Sequence, residues 1–353
     1  MSVKRPTIKD VARQSGFSLS TVSLAINERG YVSPETRSRI LKVVEELSYH
    51  PTRSARGLAS KTSGNIGFIL TEDHFSAAEP FYTKIFLGTE FEARSRHYYI
   101  LLTTVSDQYV SGTTPRFLLE RNVDGVIVAG KVDPKFIEEI EKFGIPIVLV
   151  DFALKRKRFP SVLIDNRGGA RLAMQHLLEL GHREIGFIGG DIQHPSIAER
   201  FQGYREMLEE HGIALKQEFI SIDEDEPRVG AGASATESVL RRGVRPTAIM
   251  AANDAMAIGC MQYLRQSGIR VPDEVAVVGF DDIDTCAVTE PRLTTVRVFK
   301  EEMGKLAVQR IVEMITSKTQ TVVTTHVPVE LVVRDSTRAC AVAAGTPESS
   351  HHG

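Results

Sequence analysis

Polar and aromatic side chains follow several apolar, β-rich runs of this sequence, each near the point where a run ends. They comprise two aromatic rings, carboxylates, an amide, a hydroxyl and an arginine: Phe81, Tyr82, Asp151, Ser196, Arg200, Asn253, Asp254, Asp281 and Asp282. Such groups, if they converge, can bind a polyhydroxylated or heterocyclic small molecule through bidentate hydrogen bonds and ring stacking. Structural alternatives exist, since Asn and Asp cap helices, Arg200 can pair with Glu199, and Phe81 can belong to a core.

The runs that precede these residues predict the architecture that would bring them together. Eight runs alternate with helical patterns: Ile66–Leu70, Tyr98–Leu102, Gly125–Ala129, Pro146–Val150, Ile185–Gly189, Phe219–Ile222, Thr247–Ala251 and Val275–Gly279. This alternation predicts an α/β fold of doubly wound parallel sheets divided between two lobes, with Phe81 and Tyr82 in a long loop after the first strand. Ligands bind outside the carboxyl ends of such strands, where the polar residues lie.

Enzymatic alternatives on the same fold lack their motifs. No GxGxxG follows the first run, and GxxxxGK[ST], GxSxG and HExxH are absent; residues 230–235 match GxGxxA only loosely. Three cysteines without CxxC spacing indicate neither a disulfide framework nor a zinc site. We therefore predict no catalytic residue, metal or cofactor. The alternative function is a sugar-binding or sugar-processing protein of doubly wound fold.

Charge is distributed unevenly along the 353 residues. Residues 1–63 hold 11 Lys and Arg against 5 Asp and Glu, a net charge of +6, and the other 290 residues carry −8. We call the short basic N-terminal segment the head and the larger acidic segment the body. This division of charge is typical of proteins in which one module binds nucleic acid and the other does not. The apolar runs are far shorter than the ~20 residues of a membrane helix, and the N-terminus lacks a signal core. We expect a cytoplasmic protein without membrane contact.

Capping signals in the head predict three short helices. Thr7 with Asp10 begins the first, which stops at Gly16; Ser18 caps the second; and Ser33–Pro34 begins the third. Two short helices joined by a tight Gly-containing turn outline a helix-turn-helix.

The second helix has a clear inner and outer face. At 100° per residue, Val22, Ala25 and Ile26 point inward, whereas Ser20, Leu24 and Asn27 point outward. That outer stripe would enter a major groove, although Leu24 alone could be an ordinary exposed leucine. The basic segment after the third helix carries one leucine, Leu58. It fits either a flexible linker or a helix that forms on the minor groove.

The sequence resembles the lactose-repressor/galactose-repressor (LacI/GalR) family of bacterial transcription factors over about residues 6–338. The matching head segments are Thr7–Ala12, Ser20–Ser23, Asn27, Val32–Ser33, Thr36–Arg37 and Ala55–Ala59. Those of the body are Asp124–Ile127, Asp165–Asn166 with Gly169–Ala170, His176–Leu177 with Leu180–Arg183, Glu199–Arg200 with Gly203–Tyr204, Ala252–Asp254, Val277–Asp282 and Leu293–Val296.

The resemblance implies a homodimeric repressor that reads a near-palindromic double-stranded DNA operator. It implies a head at 1–50, a hinge helix at 51–63, and a periplasmic-binding-protein-like core at 64–340. The core's N-lobe would comprise about 64–163 and 294–325, its C-lobe about 164–293 and 326–340, and 341–353 would be a disordered tail. The core would bind a small effector, most consistent with a sugar or sugar derivative, with a purine or a partner phosphoprotein as alternatives.

Site residues follow from the resemblance position by position. Base-reading positions are Leu19, Ser20 and Leu24, and phosphate-binding positions are Thr7, Ser18, Thr21, Ser23 and Asn27. Hinge contacts fall on Ala55 and on Leu58, which matches an intercalating leucine. The effector pocket maps onto Phe81, Asp151, Ser196, Arg200, Asn253 and Asp281.

Three departures from the family pattern bear on specificity. Leu24 stands where most members have Arg, sometimes His, so a bidentate contact to guanine is lost, and apolar contact with a thymine methyl is what Leu24 can offer instead. Residues 79–82 read Glu-Pro-Phe-Tyr where Asn-Pro-Phe-Phe is common, and Val298 replaces a frequent pocket Gln.

Overall fold

The structure, a computed structural model, describes residues 6–26, 30–49, 62–72, 81–106, 110, 112–154, 158–224, 228–317 and 321–340. The chain divides into two compact units, Met1–Gly64 and Asn65–Gly353. Asn27, Ala55 and Leu58 of the predicted DNA-binding set, and the tail after Cys340, lie outside the described residues. None of the helices described is long and apolar enough to cross a membrane.

The first unit contains the three predicted helices, α1 (Ile8–Ser15), α2 (Leu19–Ile26) and α3 (Pro34–Glu46). Their ends follow the predicted caps: the Thr7 N–H donates to Asp10 Oδ2 at 2.9 Å, and the Thr21 N–H donates to Ser18 Oγ at 3.1 Å. Their inner faces form one small core around the fully buried Val22 and Ile40. These contacts confirm the predicted helix-turn-helix arrangement.

The described residues of the second unit form two six-stranded sheets. Its strands, in chain order, are β1 (Asn65–Thr71), β2 (Tyr99–Val105), β3 (Gly125–Ala129), β4 (Ile147–Val150), β5 (Ser161–Ile164), β6 (Ile185–Gly190), β7 (Ile220–Glu224), β8 (Ala248–Ala251), β9 (Ala276–Asp281), β10 (Thr294–Val298), β11 (Thr324–Val327) and β12 (Val329–Val332). The first sheet has the order β11-β5-β4-β3-β1-β2 and is entirely parallel. The second has the order β12-β10-β9-β8-β6-β7, with only β12 antiparallel.

Helices pack on both sheets. They are α4 (Phe81–Ser95), α5 (Arg116–Leu119), α6 (Pro134–Glu141), α7 (Asn166–Glu179), α8 (Pro195–Glu210), α9 (Val229–Arg241), α10 (Asp254–Gln266) and α11 (Lys300–Ser317). The sheet with β1 forms a first lobe and the sheet with β6 a second, which confirms the predicted α/β fold of two parallel-sheet lobes.

The chain passes between the lobes three times, after β5, after β10 and after β11. The sequence placed residues 294–325 in the first lobe, but β10 pairs in parallel with β9 of the second sheet. The second passage therefore lies at residues 298–300, where α11 begins. Phe81 and Tyr82 also differ from expectation, since they form the first turn of α4 instead of lying in a loop.

Glycines allow α4 and α11 to approach each other closely. A Cβ atom at Gly88 would fall on the carbonyl oxygen of Glu301, and one at Gly304 would fall on that of Ile85. Backbone meets backbone at both positions, so no side chain can move aside to make room.

We expect Gly88→Ala to lower the free energy of unfolding by about 1 to 3 kcal/mol, the usual cost of overpacking. The matched control is Gly230→Ala in α9, where an added Cβ meets no atom within 4 Å. That change should be neutral or stabilise by roughly 0.5 to 1 kcal/mol, because alanine is the better helix former. Urea unfolding followed by circular dichroism measures both, and equal effects would contradict the close approach.

Candidate functional site

The ends of strands from both sheets bring a cluster of polar side chains together in the second unit. Asp151 follows β4 in the first lobe, Asp281 ends β9 in the second, and both are buried. Ser196 and Arg200, also buried, lie in the first two turns of α8. Of the predicted effector set, the structure places these four close together, and Phe81 lies at the start of α4.

Asp151 accepts hydrogen bonds from both lobes. The Tyr82 hydroxyl donates to its Oδ2 at 2.7 Å, and the Ser196 hydroxyl, from the second lobe, donates to its Oδ1 at 3.5 Å. The backbone of Asp151 has φ +65°, a left-handed conformation that is uncommon for aspartate. Burial raises the pKa of Asp151 to about 6, opposed by the Tyr82 hydrogen bond and by the charge of Arg200.

Arg200 organises the second-lobe side of the cluster. Its Nε donates to Asn166 Oδ1 at 2.9 Å, while its two terminal nitrogens donate to the Ala252 carbonyl at 2.6 Å and to Asp281 Oδ1 at 3.2 Å. The guanidinium also stacks on the Phe280 ring, 3.7 Å from its centroid. The surface ion pair with Glu199, the structural alternative, is not the arrangement found here.

Asn253 and Asp254 serve the start of α10. Asn253 Oδ1 accepts the Met256 N–H at 2.9 Å and so caps the helix, which is the structural role that the sequence left open. Asp254 is fully buried, and its carboxylate accepts the Ile283 N–H at 2.9 Å and the Thr295 hydroxyl at 2.5 Å. Effector binding by Asn253 stays a prediction.

Lys300, the first residue of α11, reaches the end of β9. Its buried ammonium donates to the carbonyl oxygen of Asp281, and to those of Asp282 and Val298 at 3.3 Å each. It also lies 5.8 Å from the centroid of the Phe81 ring. Burial lowers the pKa of Lys300, and the charge of Asp281 opposes that effect.

Sequence reasoning missed three members of this cluster: Asn166, Lys300 and the hydroxyl of Tyr82. Lys300 had a usable signal, since a charged residue follows the short strand β10, but β10 itself was not predicted. Among the described residues, no group of His, Cys, Asp and Glu could hold a metal ion.

A salt bridge also links the lobes at the rim of the cleft. Lys84 Nζ, on α4, lies 2.5 Å from Asp284 Oδ1, just beyond β9 in the second lobe. Asp284 is largely exposed, so this pair contributes little energy alone.

The helix-turn-helix presents its predicted outer stripe to solvent. Leu19 and Leu24 are 46% and 39% exposed, and Ser20 is exposed beside them. Thr7 and Ser18 are exposed as well, whereas Thr21 and Ser23 are half-buried. The Ser18 hydroxyl contacts those of Ser20 and Thr21 at 2.7 and 2.8 Å, so three hydroxyl groups cluster at the start of α2.

Buried carboxyl groups should make the stability of the protein depend on pH. Burial, with the charge of Asp281, raises the pKa of Asp254 to about 7. The folded state therefore holds a proton that the unfolded chain has released above about pH 4, and the free energy of unfolding falls as pH rises through this window.

We expect Asp254→Asn to reduce this fall, which for one proton is about 1.4 kcal/mol per pH unit. Urea unfolding between pH 4.5 and 7.5 measures the slope. The matched control is Asp223→Asn, at an exposed position on β7, which should leave the slope unchanged. A wild-type slope in Asp254→Asn would show that this carboxyl does not retain its proton.

Comparison with known proteins agrees with this architecture. The family model for bacterial regulatory proteins of the lacI family matches residues 7–52, and that for a periplasmic binding protein-like domain matches residues 174–337. Catabolite control protein A of Priestia megaterium is 31% identical over 94% of this chain and 99% of its own.

Two solved structures extend the likeness to the fold. A transcriptional regulator CelR–cellobiose complex has a TM-score of 0.71 and 32% identity over 94% of this chain and all of that one. A Lac repressor dimer bound to operator and the anti-inducer ONPF has a TM-score of 0.82 and 28% identity, covering 95% of this chain and all of the other.

A helix-turn-helix unit followed by a two-lobed core with a polar cleft defines a DNA-binding transcription regulator, not an enzyme. The chain belongs to the lacI family of bacterial regulatory proteins. The resemblance seen in its sequence is thereby confirmed.

Proposed function

We propose that this protein is a cytoplasmic repressor that binds a near-palindromic operator as a homodimer and responds to a small effector in the cleft between its lobes. The observation that carries the proposal is the buried cluster of Asp151, Ser196, Arg200 and Asp281, which joins the carboxyl ends of both sheets. A ligand among these groups would contact both lobes at once. Its preference for one lobe arrangement then sets the operator affinity, typically by roughly 1 to 3 kcal/mol.

The effector is a sugar or a sugar derivative. Carboxylates and a guanidinium bind vicinal hydroxyls through paired hydrogen bonds, and the Phe81 ring can pack against the apolar face of a sugar. Asn253 completes the proposed set of effector-binding residues. The solved CelR complex holds cellobiose, which makes this ligand class the first to test.

DNA recognition belongs to the head. Leu19, Ser20 and Leu24 face the bases, and Thr7, Ser18, Thr21, Ser23 and Asn27 hold phosphates. The exposure of Thr7, Ser18, Leu19, Ser20 and Leu24, together with the hydroxyl contacts around Ser18, supports this assignment. Ala55 and Leu58 of the hinge, residues 51–63, contact the operator centre, where Leu58 opens the minor groove.

The proposal is tested by operator binding with and without sugars at fixed salt. Operator fragments are first selected from a random pool, and their affinity is then measured by fluorescence anisotropy with cellobiose, ribose and their phosphate esters. One of these compounds should change the dissociation constant roughly 5- to 150-fold. Ser196→Ala should retain operator affinity but lose part of the response. Absence of DNA binding at low salt, or turnover of a sugar, would contradict the proposal.

A further inference from the structure

The hydroxyl of Tyr82 donates a hydrogen bond to one carboxylate oxygen of Asp151. The donor–acceptor distance is 2.7 Å, and both side chains are buried. Tyr82 lies in the first turn of α4, where its ring meets the Phe81 ring edge to face at 5.0 Å between centroids. A phenylalanine, common at this position in the family, would fill the same space without the donor.

The other groups that face Asp151 act on it differently. Ser196 on α8 donates only at 3.5 Å, and Arg200 on the same helix directs donors to Asn166, Ala252 and Asp281. The charge of Arg200 favours the ionised carboxylate, whereas burial and the charge of Asp281 oppose it. Tyr82 therefore supplies the short hydrogen bond that stabilises the ionised form.

We propose that Tyr82 is a positioning and specificity-determining residue, which keeps Asp151 ionised so that the cleft selects ligands that donate hydroxyl hydrogens. An ionised aspartate only accepts hydrogen bonds, whereas a protonated one also donates. A ligand group with acceptors alone, such as a phosphate dianion, would meet repulsion at the ionised carboxylate. This inference rests on the proposed effector site.

The test is Tyr82→Phe in the full chain, with the ionisation of Asp151 followed by carboxyl ¹³C NMR and assigned with Asp151→Asn. Loss of the hydroxyl should raise the midpoint of the Asp151 titration by about one pH unit or more, since hydrogen bonds to a carboxylate favour its charged form. Ser196→Ala removes the longer contact and should give a smaller shift. An unchanged midpoint in Tyr82→Phe would overturn the proposal, as would a wild-type midpoint above pH 7.

Sugar binding supplies a second readout. The affinity for cellobiose and ribose is measured by calorimetric titration from pH 5 to 8. Affinity should fall as the pH is lowered, and this fall should begin at a higher pH in Tyr82→Phe than in the wild type. In Asp151→Asn the same tyrosine change should no longer alter the pH profile. Identical profiles for Tyr82→Phe and the wild type would also overturn the proposal. Operator binding by wild type reports the proposed function separately, because the NMR titration needs neither sugar nor DNA.

Discussion

Replacing Arg200 by leucine is expected to lower the free energy of unfolding by about 3 to 5 kcal/mol and to abolish the response to effector. Arg200 is buried, and it donates to Asp281, Asn166 and the Ala252 carbonyl. Leucine would leave these acceptors without their donor. It would also remove the positive charge that stabilises the ionised forms of Asp151 and Asp281.

The matched control for Arg200→Leu is Arg205→Leu, the same change on the exposed side of the same helix. Arg205 is exposed and lies beside the Phe201 ring, 5.9 Å from its centroid, so a loss below about 1 kcal/mol is expected. Urea unfolding compares the two variants, and anisotropy with operator DNA shows whether the head still binds. Equal losses of stability would mean that the buried ion pair with Asp281 contributes no more than a surface group.

Local signals in the sequence were sufficient to predict the helices of the head and most strands of the two sheets. Caps at Thr7, Ser18 and Ser33 depend only on neighbouring residues, and each predicted helix begins there. The eight apolar runs became strands; those at the centre of each sheet, such as β3 and β8, are buried along their whole length, whereas the edge strand β2 is partly exposed. The same reasoning placed Asp151 and Asp281 at the ends of strands.

The strands that were missed are short or interrupted by polar residues. Of the four, β5 has only four residues, whereas β10 contains Arg297, β11 contains His326 and β12 contains Glu330, so these three do not read as apolar runs. The last three become strands by pairing: β10 with β9 and β12, and β11 with β5, which lies far away in the sequence. For this reason the sequence misplaced the second passage between the lobes and concealed Lys300, which lies immediately beyond it.

Partner choice within the cleft also required the three-dimensional structure. Arg200 has Glu199 beside it in the chain, yet its carboxylate partner is Asp281, 81 residues away. Asn253 could be either a cap or a ligand contact from sequence, and its Oδ1 is committed to the cap. Such choices depend on which acceptors are buried together, a property that no local pattern contains.

Leu24→Arg is expected to introduce a guanine preference at one operator position that the wild type reads otherwise. Leu24 is 39% exposed on the outer stripe of α2, beside Ser20, and offers only apolar contact, such as with a thymine methyl. Arginine there could donate two hydrogen bonds to a guanine, worth about 1 to 3 kcal/mol of discrimination. Selection from randomised half-sites, run on both proteins, measures the preference.

Added positive charge must be separated from base reading in this comparison, because any new arginine strengthens attraction to phosphates. Leu41→Arg supplies the control, since Leu41 is a similarly exposed leucine, 45% exposed, on α3 instead of the recognition helix. It can steepen the salt dependence of binding but should leave base preference unchanged. A strong guanine requirement in the wild type that Leu24→Arg did not alter would show that Leu24 does not face that base. The departure from the family pattern at Leu24 would then have no bearing on the operator.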